Sequence, residues 1–96
     1  MSKEEYVSFI MKTVNKDNLF KIIETFICMF ENGILIKPIL NNEILSSIQI
    51  TYASSTICNK YQGDIVNIIK KVYPNVKNTG SYKMMTHHSI IYFYSI

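Results

Sequence analysis

The sequence has no arginine, and all ten of its basic residues are lysine. The planar guanidinium fork, which grips guanine or phosphate through two parallel bonds, is therefore excluded. Any phosphate contact has to come from lysine as a point charge. Cysteine is scarce: Cys28 and Cys58 stand alone, without metal-type spacing, where a small secreted domain usually carries more. Two reduced, buried thiols are expected, with no disulfide or redox pair. The three glycines form no phosphate-cradling loop, and no Asn-x-Ser/Thr sequon occurs. The most apolar stretch, Leu19 to Phe30, contains Lys21 and Glu24 and is too short to span a bilayer. The first residues, Met-Ser-Lys-Glu-Glu-Tyr, do not resemble a signal peptide. These absences point to an intracellular protein of cytoplasm or nucleus, with no membrane contact.

Alanine is nearly absent too: Ala53 is the only one, against seventeen isoleucines and nine asparagines. Ile, Asn and Lys have A/T-rich codons and Ala has G/C-rich ones. The bias therefore reads as an A/T-rich genome, that of a large DNA virus, a low-GC bacterium or an A/T-rich parasite, with a viral source favoured.

What is present is enough for one core. Ninety-six residues make a single domain, 1–96. Nearly half are apolar, with seven Tyr and five Phe, which argues against disorder. Ser2 with Glu5 forms a capping box, and Tyr6, Val7, Ile10, Met11 and Val14 follow at helical spacing. This predicts a first helix to about Asn15 or Lys16. Asp17 is placed to cap a second helix, apolar nearly all round from Leu19 to Phe30 and so expected in mid-core, with Asn32-Gly33 as a left-handed end. Ile34-Leu35-Ile36 reads as a short strand that Pro38 limits to an edge. Asn41-Asn42-Glu43 reads as a turn or helix start, and residues 44–52 as a strand, with a short helix as the alternative. Ser54-Ser55 can cap a helix carried by Ile57, Tyr61, Ile65, Ile68 and Val72. Gly63 and Asp64 suggest a bend or a second cap within it, and Pro74 ends it. Asn78-Thr79-Gly80 reads as a turn before two strands, about 82–85 and 89–94, joined around His87-His88. The fold class expected is α+β: two N-terminal helices, a small antiparallel sheet, a late helix and a C-terminal β-hairpin. That order permits a winged-helix-like arrangement.

Charge is uneven. Residues 1–48 hold five Lys and six acids, and residues 49–96 hold five Lys and one acid, nets of −1 and +4. The basic half suggests a nucleic-acid surface of Lys60, Asn67, Lys70, Lys71, Lys77 and Lys83. Lysine would neutralise phosphate, and asparagine could read adenine with two bonds. A solvated helix face accounts for the same residues. Neighbours on a strand point to opposite faces, so His87 and His88 do not readily share an ion, and no further ligand is spaced to help. A hairpin-tip contact is expected and no metal. Cys28 lies on an apolar helix, where a buried, inert thiol is expected rather than a nucleophile. Most of the acids sit at helix starts, where capping explains them. The expectation is a protein that is not an enzyme and has no cofactor.

The closing stretch from Ile90 to Ile96 has no charge at all. Left bare, such a strand would invite aggregation. Tyr92 and Tyr94 share one face of it, and Ile91 and Phe93 the other. One face is expected to enter the core. Met84, Tyr92 and Tyr94 are taken as the contact surface for a protein partner or a second copy. Two functional classes follow: a non-catalytic interaction or assembly protein that self-associates through its C-terminal strand, and a small DNA- or RNA-binding regulator.

Overall fold

Ser2 starts the first helix as its sequence position implies. In the computed structural model, which describes all 96 residues, its Oγ accepts the Glu5 amide at 3.1 Å. Helix α1 runs Lys3–Thr13. The next junction differs from the reading above: Asp17 caps nothing. Asn15 Oδ1 accepts the amides of Asp17 and Asn18 at 2.9 and 3.1 Å, and Asn18 Oδ1 accepts the Asn15 amide at 2.7 Å. Two carboxamides close the linker reciprocally, and Asn18 occupies the N-cap of α2, Leu19–Phe30. Helix α2 buries Leu19, Ile23, Phe26 and Ile27 but leaves Cys28 and Met29 exposed. It therefore lies on the core rather than within it, and the expected burial of Cys28 is corrected; Cys58 is the buried thiol.

Gly33 follows without a left-handed backbone. Its lack of a side chain serves close approach instead, since a Cβ there would lie 2.7 Å from Ile57 Cδ1 and 3.2 Å from Ala53 Cβ. Strand β1, Ile34–Asn41, is longer than expected and carries Pro38 at the sheet edge. It turns tightly into β2, Ile44–Tyr52, through Asn42 and Glu43 at φ 53° and 67°, the positive pair that a two-residue hairpin loop of the primed type needs. Strand is thus the observed state of residues 44–52.

Ser54 Oγ accepts the Ile57 amide at 3.2 Å and starts α3, Ser55–Val72. Gly63 neither bends nor splits it. Asp64 accepts a bond from Lys3 Nζ at 2.9 Å instead of capping, and that bond holds the Lys3 ammonium above its ordinary pKa. Strand β3, Lys77–Lys83, absorbs the expected Asn78-Thr79-Gly80 turn as a bulge, fastened by the Gly80 amide on Asn78 Oδ1 at 2.9 Å. His87-His88 lies in the turn to β4, Ile90–Ser95, with His88 at φ 56°.

The chain is thus α+β, three helices with one antiparallel sheet in the order β1-β2-β4-β3. β2 and β3 both run antiparallel to β4, so α3 joins two co-directional strands with β4 between them, a split βαβ unit. The closing hairpin is built into the sheet and does not project as a wing. Register places Ile34, Ile48, Ile50, Tyr52 and Tyr94 on one face, and all five are buried. The helices cover that face: α2 packs on β1, α3 on β2, and α1 on both helices. The Cα trace measures 38 × 37 × 18 Å. Its short dimension has room for one sheet and one helical layer, with layers about 10 Å apart. No helix is long and apolar enough to cross a membrane.

Candidate functional site

The other face of the sheet is open. The pairings align it in three rows across β1, β2, β4 and β3: Leu35, Thr51, Ile91, Tyr82; then Lys37, Gln49, Phe93, Gly80; then Ile39, Ser47, Ser95, Lys77. No residue in these rows is buried. Leu35 is 72% exposed, Tyr82 60% and Phe93 36%. The rows contain no acid, and their two cations sit on the two outer strands, Lys37 on β1 and Lys77 on β3. Ile44, at the hairpin end of β2, adds a further exposed apolar side chain.

This arrangement takes two of the three expected contact residues off the open surface. Tyr92 and Tyr94 pair with Ile50 and Ile48 on the helix side. Tyr94 is buried, and Tyr92 stands edge-on to Tyr52 with ring centroids 6.0 Å apart. Burial pushes the Tyr94 hydroxyl up to about 12 and drives that of Tyr52 well above the tyrosine range. These two predicted contact residues belong to the core side, and the exposed face belongs to their neighbours Ile91 and Phe93. Periodicity identified two faces; it carried no sign for which one the helices would cover. Met84 is half-buried just past β3, where its amide donates to the Ser89 carbonyl at 2.8 Å. Leu35, Tyr82, Ile91 and Phe93 are the apolar and aromatic side chains that the open face carries in place of Tyr92 and Tyr94. The signal available for them was the same alternation, read with the opposite parity.

The predicted nucleic-acid residues are divided. Lys60, Asn67 and Lys71 fall on one flank of α3, at spacings of seven and four. Lys60 Nζ stands 5.4 Å from the Tyr61 ring centroid. Lys70 is turned away from that flank toward β3, where it lines a groove with Asn78. Lys77 lies on the open face, and Lys83, opposite Ile90, lies on the helix side. The six do not share one surface. His87 and His88 are exposed at the hairpin turn, and no three His, Cys, Asp or Glu side chains gather where they could hold a metal.

Compared with known protein families, with curated proteins and with solved structures, the chain matches none.

Proposed function

We propose that this protein is a non-catalytic association module that pairs with a second copy of itself, face to face, through the open side of its sheet. One observation carries the reading: four strands are covered by helices on one side only, and Leu35, Tyr82 and Phe93 stand exposed on the other, with Ile91 half-buried beside them. The interior position of β4 rules out adding a strand to the C-terminal strand itself. Both true edges are guarded, β1 by Lys37 and Pro38, β3 by Lys77, Lys83 and a bulge. Of the sheet, the open face is what remains for a partner.

A second copy suits it on shape. A two-fold interface must be self-complementary. Phe93 and Gly80 are direct cross-strand partners, so a projecting ring stands beside a position with no side chain. The ring of one copy can enter the gap over Gly80 of the other, and the reverse. Four strands at about 4.8 Å and about seven residues at 3.3 Å give a plan area of roughly 440 Å² per copy. Two copies bring together roughly 900 Å², close to the ~1,000 Å² that a specific interface should clear. The lysines at the outer strands can extend their ammonium groups past the rim into water.

Molar mass by light scattering across micromolar to millimolar protein tests this. A concentration-dependent dimer is expected, and Phe93→Lys should return the monomer with unchanged far-UV circular dichroism. A wild-type chain that stays monomeric at the highest concentration would overturn it. The duplex-binding reading rests on the Lys60, Asn67 and Lys71 flank. It predicts a low-salt gel shift that Lys60→Glu with Lys71→Glu abolishes.

A further inference from the structure

Gly63 occupies the middle of the 18-residue helix α3. Glycine destabilises a helix interior relative to alanine. Nothing in the fold asks for it: its φ is negative, and a Cβ built there would meet no atom within 4 Å. What it does is leave space. Gly63 lines the largest cavity of the molecule, a groove of about 420 Å³ between α3 and the β3–β4 pair. That volume lies within the range of small-ligand sites.

The groove's walls have one chemical character. Asn59, Gln62, Val66 and Lys70 come from successive turns of α3, and Asn78, Val76 and Tyr94 face them. None of these residues is an acid. The single ion pair of the protein is Lys3 with Asp64, so the Lys70 ammonium is uncompensated. The Asn59 and Gln62 carboxamides make no hydrogen bond within the chain, and Asn78 spends only its Oδ1, on the Gly80 amide, leaving its NH₂ free. Val66, Val76 and the Tyr94 ring supply apolar walls. Three carboxamides able to pair with the edge of a base, one free cation and an apolar lining form a set of complementary chemistry. We propose that this groove binds an adenine nucleotide, with Lys70 on the phosphate and the carboxamides on the base. The nucleotide is either free or part of a single strand. The groove lies on the helix side of the sheet, so the proposal is independent of self-association.

The test is titration of ¹⁵N-labelled protein with AMP, followed by amide chemical shifts. Saturable shifts confined to Asn59, Gln62, Gly63, Lys70 and Asn78 are expected. Lys70→Ala should weaken AMP by about tenfold, the value of one charge-assisted bond, and adenosine should bind wild type about as weakly. Gly63→Leu fills the groove while favouring the helix, and should abolish the shifts in a protein at least as stable as wild type. Phe93→Lys should leave them intact. An oligodeoxyadenylate that shifts the same amides more tightly than AMP identifies the source as a single strand, and the reverse order identifies the free nucleotide. Absence of shifts at millimolar AMP, inorganic phosphate binding as well as AMP, or undiminished binding to Gly63→Leu would each overturn the proposal.

Discussion

Replacing Tyr52 by phenylalanine is expected to stabilise this protein. Tyr52 is completely buried, and its hydroxyl is the one buried side-chain polar atom without a hydrogen-bond partner. Register places it opposite Ile34 on β1 and Ile90 on β4, at the helix-covered face. An unpaired buried hydroxyl costs about 1–3 kcal/mol. Phenylalanine keeps the ring and its edge-on contact with Tyr92 and leaves a void of only one oxygen. A net gain of about 1–2 kcal/mol follows. For a domain of this size each kcal/mol is worth roughly 4–8 °C in Tm. Urea unfolding followed by circular dichroism measures it, and the slope m should not change. The same variant has a signature at high pH. Burial keeps the Tyr52 and Tyr94 hydroxyls protonated in the fold, Tyr94 up to about 12, while their unfolded counterparts ionise near 10. From pH 10 to 12 the unfolded chain therefore binds fewer protons than the folded one, and stability falls as pH rises. Tyr52 and Tyr94 together contribute about 2.7 kcal/mol per pH unit at full slope, to which the raised Tyr92 hydroxyl and Lys3 ammonium add in the same direction; Tyr52→Phe should remove about 1.4 of the total. Loss of 0.5 kcal/mol or more at neutral pH, with an unchanged alkaline slope, would refute the reasoning, because it would mean that a buried water holds the hydroxyl.

Three further outcomes are expected from urea or thermal melts. Glu43→Gly should stabilise by about 0.5–1 kcal/mol, since Glu43 sits at φ 67°, where a side chain is strained; a loss would show that the Glu43 side chain contributes more than its backbone costs. Gly33→Ala should destabilise by about 1 kcal/mol, at the low end of overpacking, because the half-buried Ile57 tip 2.7 Å from the new Cβ can turn away while Ala53 cannot; a neutral result would show that the β1 start shifts freely. Ser54→Ala should cost about 1 kcal/mol by removing the acceptor of the Ile57 amide, with Ser54→Asp recovering most of it.

Features held by neighbouring residues were legible in the sequence. Ser2 and Ser54 cap as read, Pro38 lies on an edge strand, and the two aromatic-rich faces of residues 90–95 are real. The misreadings share a cause. Asp17, Gly33, Asp64 and Asn78-Thr79-Gly80 each had a plausible local role, and each was taken instead by a contact with something distant or by a competing local bond. Asp64 pairs with Lys3, sixty-one positions earlier, and Gly33 yields to Ile57 and Ala53. Around Asn78, the pairing with β4 draws a turn-like sequence into a bulged strand. Neither candidate site was visible as a site. The open face is assembled from four strands, and the groove joins α3 to residues brought over from β3 and β4.

Taken alone, the sequence determined the three helices and the α+β class, because capping and side-chain period act over a few residues; it left residues 44–52 between strand and helix and read a turn at 78–80, inside β3. Only the tertiary structure decided that β4 lies inside the sheet, that its tyrosines point toward the helices while Phe93 points away, and that Gly63 opens a groove. A period of two distinguishes the faces of a strand and assigns neither; that assignment came from where the helices packed.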